Sequence, residues 1–169
     1  MSSRARRLAT GITSALVAVG LAGAPACQRR NPDPPDGDVA ASLTVPPLGS
    51  AAFDPASFKG KPSLVLFVSS SCVHCLKEVP IAQDVARDAN ANVAIVFVQG
   101  QKPNAQSFVQ QTHFTGPALY DDGTLKARYG VTAVPYTLAL ADDGHATAAL
   151  IGEQDADVLR DAIATSRGR

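Results

Sequence analysis

Cys72 and Cys75 stand three residues apart in the run Ser69-Ser70-Ser71-Cys72-Val73-His74-Cys75-Leu76-Lys77-Glu78. On a helix, positions i and i+3 share a face, so the two sulfurs can meet, close to a disulfide and reopen. The reactive form of cysteine is the thiolate. A helix N-terminus favours it, because unpaired backbone N–H groups and the helix dipole stabilise negative charge there. Cys72 falls at such a start. His74 can present positive charge beside it and favour the thiolate further. Two other uses of the pair stay open on spacing alone, a permanent disulfide and half of a Cu(I) or Zn site. A loop this short is a poor stability staple, since little closure entropy is removed from the unfolded chain. Redox chemistry is therefore the leading reading.

The flanking pattern supplies the elements that must position this pair. Leu64-Val65-Leu66-Phe67-Val68 is an uninterrupted apolar run inside an expected strand over Ser63–Ser69, buried on both faces. The helix after the cysteines is expected to run to about Ala89, with Leu76, Val79, Val85 and Ala89 as a partial apolar stripe and Pro80 kinking it. A second strand is expected at Val93–Val98, a loop at Gly100–Asn104 and a helix at Ala105–Thr112. A short extended piece follows at Ala118–Tyr120, then a short helix at Leu125–Tyr129 closed by Gly130. Tyr136–Ala141 and Thr147–Ile151 flank an Asp142-Asp143-Gly144 hairpin turn. Ala156–Thr165 reads as a final amphipathic helix with Val158, Leu159 and Ile163 inward. This order predicts an α/β domain: a central mixed β-sheet flanked by helices, with a terminal β-hairpin and a C-terminal helix.

The 169 residues suit one domain with extensions, and 46% apolar content is ample for a core. Formal net charge is zero. Arg4, Arg6 and Arg7 precede every acidic residue, and without residues 1–26 the chain carries 12 basic against 15 acidic residues. No basic surplus points to nucleic acid. Residues 1–26 read as an export signal, with an arginine-bearing start, an apolar stretch near Leu8–Leu21 and small residues at Ala24-Pro25-Ala26. Cys27 follows directly, and the pattern resembles the lipobox of bacterial lipoproteins, in which that cysteine is lipidated. The same small residues suit ordinary cleavage, and an uncleaved anchor is the third reading. Residues 27–42, rich in Pro and Asp, read as a solvated tether, and 43–169 as the folded domain.

Taken together, these residues resemble the thioredoxin superfamily, and within it the exported TlpA/ResA-like thiol-disulfide oxidoreductases. The resemblance is carried by Phe58-Lys59-Gly60-Lys61-Pro62, Cys72-Val73-His74-Cys75, Lys77-Glu78-Val79-Pro80, Asp121-Asp122-Gly123, Tyr129-Gly130-Val131, Val134-Pro135-Tyr136-Thr137, Asp143-Gly144 and Gly152. It implies a three-layer thioredoxin-like fold and an exposed nucleophile at Cys72, with Cys75 resolving from a partly buried position. It also implies a cis-proline at Pro135, substrate contact at Val134 and Val73, and an influence of Glu78 on cysteine reactivity. No cofactor is implied beyond the redox-active disulfide. The implied partners are thiols or disulfides of envelope proteins and a membrane electron donor or acceptor, at the periplasmic or outer face of a membrane. Three positions depart from the family. Ser71 stands where the family usually has Trp, Leu66 where thioredoxins bury a carboxylate, and Val-His where Gly-Pro separates the cysteines. With His74 there, the site is expected to be more oxidising than thioredoxin. The competing readings are a copper-binding protein of SCO type, with His113 and His145 as the remaining histidines, and a non-catalytic interaction domain.

Overall fold

Seven consecutive residues, Ser63–Ser69, are buried without exception, and they form the middle strand of a five-stranded sheet (β1). The computed structural model describes residues 31–49 and 52–167. The expected export signal 1–26 and Cys27 lie outside them. Along the chain come α1 (Val39–Ser42), a 3-10 turn (Pro55–Phe58), β1, α2 (Val73–Asp88), β2 (Asn92–Gln99), α3 (Lys102–Thr112), β3 (Ala118–Tyr120), α4 (Thr124–Arg128), β4 (Tyr136–Leu140), β5 (Ala146–Ile151) and α5 (Ala156–Ser166). The strand order is β3-β2-β1-β4-β5. β1, β2 and β3 run parallel, while β4 is antiparallel to β1 and to β5. The mixed sheet and terminal hairpin are those expected from sequence.

Because side chains alternate along a strand, β1 feeds two cores at once. Val65 and Phe67 point into one, with Phe58, Leu125, Tyr129 and Val131. Leu64, Leu66 and Val68 point into the other, with Cys75, Val79, Phe108, Leu159 and Ile163. Helices α2, α3 and α5 cover that second face. Aromatic contacts key each layer: Phe97 of β2 meets Phe108 of α3 edge-on at 5.4 Å, and Phe67 meets Tyr136 at 5.8 Å.

Beyond shifts of one residue at element ends, the structure differs from the sequence expectations in three places. α3 begins at Lys102 rather than Ala105, because Pro103 sits in the first turn, where its missing N–H is not needed. Val158 is 38% exposed, so the inward side of α5 is Leu159, Ala162 and Ile163. The third difference is at the N-terminal side. Residues 38–42, read as solvated tether, pack into the domain as α1, with Val39 and Ala40 fully buried. The Val39 and Ala40 N–H groups donate to Gly144 O in the β4–β5 turn, and Asp38 both caps α1 and pairs with Lys59 at 2.5 Å. A short apolar pair in a Pro/Asp-rich stretch has no periodicity to reveal it.

Both sheet edges are attended by irregular chain. Asp38 bridges His145 at one end of β5, and Asn31 Oδ1 accepts from Ile151 N–H at the other. Against β3, Leu48 N–H donates to Ala118 O and Tyr120 N–H donates to Pro46 O.

If residues 38–42 belong to the core, Val39→Ala should lower the free energy of unfolding in urea by about 1–3 kcal/mol. Val158→Ala should change it by less than about 0.5 kcal/mol. Equal, small effects at the two sites would return this segment to the tether.

Candidate active site

β1 ends at Ser69, and Cys72 N–H donates to Ser69 O at 3.1 Å, closing the turn that carries the chain into α2. Cys72 is the N-cap of that helix, in extended conformation (φ −90°, ψ 109°). Its sulfur takes the place usually held by a Ser, Thr or Asp oxygen, accepting the N–H of Cys75 at 3.1 Å. Cys72 and Cys75 are joined as a disulfide with their Cα atoms 5.2 Å apart. Cys75 is fully buried and Cys72 only partly so. An attacking group therefore reaches the Cys72 sulfur first.

The Val134–Pro135 peptide is cis, and Val134 O lies 3.8 Å from Cys72 Sγ. Thr132 and Ala133, just before it, are exposed, and Val73 on the helix side is 58% exposed. The disulfide thus sits between two accessible backbone stretches, and a carbonyl faces the reactive sulfur.

Glu78 holds the least expected position. The family resemblance implies an influence of this residue on the cysteines. The residue is fully buried. Thr137 Oγ1 donates to Oε1 at 2.7 Å and Gln154 N–H donates to Oε2 at 3.0 Å. Burial pushes its carboxyl up from the ordinary value, the charge of Glu153 adds to this, and the two hydrogen bonds act against it. Leu66 pairs with Thr137 across β1 and β4. A carboxylate absent from β1 is thus matched by one that enters the same core from α2. Two signals were present in the sequence: Glu78 is one turn after Cys75, and Thr137 is the one aliphatic hydroxyl in the buried strand Tyr136–Leu140.

His74 Nδ1 lies 2.6 Å from Glu153 Oε2, and Lys77 Nζ lies 4.0 Å from the same oxygen. The partner the structure gives His74 is thus a carboxylate on the β5–α5 connection. That connection also reaches the proline loop, since Gly152 N–H donates to Pro135 O at 2.8 Å. No sequence pattern points to Glu153 or Gln154, which follow a strand-breaking glycine in a polar stretch without periodicity. His113 caps the end of α3, and His145 faces Asp143 in the hairpin turn, 3.3 Å away. Among the described residues, no group of three or more His, Cys, Asp or Glu could hold a metal ion.

The Redoxin family model matches residues 35–163. The chain is 34% identical over 110 residues to the soluble secreted antigen MPT53 of Mycobacterium tuberculosis, covering 62% of each protein. It is 30% identical over 103 residues to the thiol:disulfide interchange protein CycY of Rhizobium leguminosarum, covering 60% of this chain and 53% of that one. The chain therefore spans about three fifths or less of these curated relatives. Among solved structures, a secreted Mycobacterium tuberculosis disulfide oxidoreductase homologous to E. coli DsbE superposes with a TM-score of 0.66 at 28% identity, covering 76% of this chain and 98% of that one. The fold is thioredoxin-like.

Glu78 makes a pH prediction. Its folded carboxyl holds a proton above the ordinary value near 4.5. Its contribution to stability is therefore full below that value and is lost as pH rises through the raised one. In urea unfolding across pH 4–8, Glu78→Gln should gain stability relative to the wild type as pH rises through this window. A difference that is independent of pH would show that Glu78 titrates alike in both states.

Proposed function

Because the chain belongs to the Redoxin family, we propose that it is a thiol-disulfide oxidoreductase, exported and tethered by lipid at Cys27, that exchanges disulfides with cysteines of envelope proteins. The observation that carries this reading is the Cys72–Cys75 disulfide at the start of α2, with the outer sulfur capping the helix and the inner one buried.

The reduced site works in two displacements. The Cys72 thiolate attacks one sulfur of a substrate disulfide, that bond breaks, and the second substrate sulfur leaves as a thiolate. Cys75 then loses its proton and attacks Cys72 Sγ, releasing the first substrate sulfur and leaving the Cys72–Cys75 disulfide. Two electrons have passed to the substrate, and the reverse sequence oxidises a substrate dithiol. Negative charge on Cys72 is met by the Cys75 N–H and the opening dipole of α2. Glu78 is the buried carboxylate offered to the Cys75 proton, since the two side chains share a face of α2 and burial raises its affinity for a proton. Val134 and Val73 border the sulfur and offer the substrate peptide a backbone edge and an apolar contact.

Export and tethering rest on the arginine-led apolar segment, Ala24-Pro25-Ala26 and Cys27. Among the described residues, no helix is long and apolar enough to cross a membrane. Electrons must then be exchanged with a donor or acceptor in the membrane, because the dithiol itself turns over only once.

Cys72→Ser should abolish reduction of a protein disulfide, and Cys75→Ser should trap a substrate as a mixed disulfide on Cys72. Retained activity in Cys72→Ser would end the enzyme reading. Replacing Cys27 with Ser should release the protein from membranes and remove incorporated fatty acid. An unchanged membrane fraction would end the lipid tether and leave the dithiol chemistry standing.

A further inference from the structure

Three consecutive residues of the β5–α5 connection reach three parts of the site. Gly152 N–H donates to Pro135 O at 2.8 Å, Glu153 Oε2 meets His74 Nδ1 at 2.6 Å, and Gln154 N–H donates to Glu78 Oε2 at 3.0 Å. Gly152 adopts φ +87°, a conformation that glycine tolerates, and this turns the chain back over α2. Gln154 Nε2 closes the turn on Gly152 O at 2.8 Å and Ile151 O at 3.3 Å. The backbone on both sides of Glu153 is therefore anchored, and its carboxylate is presented to the first turns of α2 from a fixed base.

We propose that Glu153 sets the charge of the dithiol site: its carboxylate offsets the cations that His74 and Lys77 bring to the opening turns of the helix capped by Cys72, and so holds the Cys72–Cys75 pair less oxidising than its Val-His centre alone would make it. This rests on the thiol-disulfide reading above. His74 and Lys77 are the basic groups of α2 that face Glu153. Glu78 lies buried on the same helix, and Asp155, next on the connection, is occupied in capping α5. The side chains of His74 and Glu153 are 60% and 34% exposed, so the pair adds little to stability, as is usual for exposed ion pairs. Its consequence is local charge. A thiolate at a helix N-terminus is the charged partner in the redox equilibrium, and every uncompensated cation beside it shifts that equilibrium toward the reduced protein.

The test is the equilibrium constant with glutathione for the purified protein at pH 6.0. Glu153→Gln should favour the reduced protein by about three- to tenfold, Glu153→Asp should stay within about twofold of wild type, and 1 M salt should shrink the Gln effect. His74→Gln should shift the equilibrium the other way, and the double variant should fall between the two single ones. An unmoved Glu153→Gln, or a Glu153→Asp as displaced as Glu153→Gln, would overturn the proposal while leaving the oxidoreductase intact. A wild-type protein with no glutathione-reducible pair would remove both readings.

Discussion

A sulfur atom caps a helix, and the rest of the molecule is arranged so that it can. For Cys72 to accept the Cys75 N–H, the strand before it must end at a fixed height, and its last residue must be held on both faces. β1 meets that demand because it is buried along its whole length, with Val65 and Phe67 locked into one core and Leu64, Leu66 and Val68 into the other. Hydrogen bonds to a charged acceptor contribute about 1.5–3 kcal/mol, and a helix terminus typically adds 0.3–1 kcal/mol. Both terms favour negative charge on a sulfur held at this position. The reactive state is thus stabilised by backbone, which cannot be mutated away without moving the helix.

The same core also encloses a carboxyl group. An isolated carboxylate in an apolar layer is strongly disfavoured, yet Glu78 is fully buried beside Val79 and Ala82. Its two oxygens are served by donors from two different elements, a hydroxyl on β4 and a backbone amide after β5. Those two bonds do not abolish the desolvation cost of the charged form, so burial still raises the carboxyl above its ordinary value.

How much of this could be read from the chain depended on periodicity. β1 was legible to the residue, because a run buried on both faces has no polar interruption. The C-x-x-C pair was legible because local spacing carries its chemistry, whereas the cis Val134-Pro135 junction was legible only through the family resemblance, since an X–Pro bond is trans by default. Glu78 was visible as a residue but not as a buried one, since helical sequence does not say which side a charge takes when the apolar stripe is incomplete. Glu153 was invisible. It acts across 79 residues of chain on His74, and contacts made by irregular connections leave no pattern. The same holds for Val39 and Ala40, whose burial is set by the hairpin turn they meet and not by their neighbours in sequence.

The attachments at the two sheet margins carry a consequence for self-association. An open strand edge is a template for another chain. Between its contacts at the two ends of β5, the segment Asn31–Asp38 carries Pro32, Pro34 and Pro35, which have no N–H to extend a ladder. On the opposite margin Pro46 and Pro47 lie against β3. Each margin is met by a piece of the same chain that can dock once but cannot propagate pairing. Edge-to-edge pairing of this sheet with a strand from another chain is thereby obstructed at both margins.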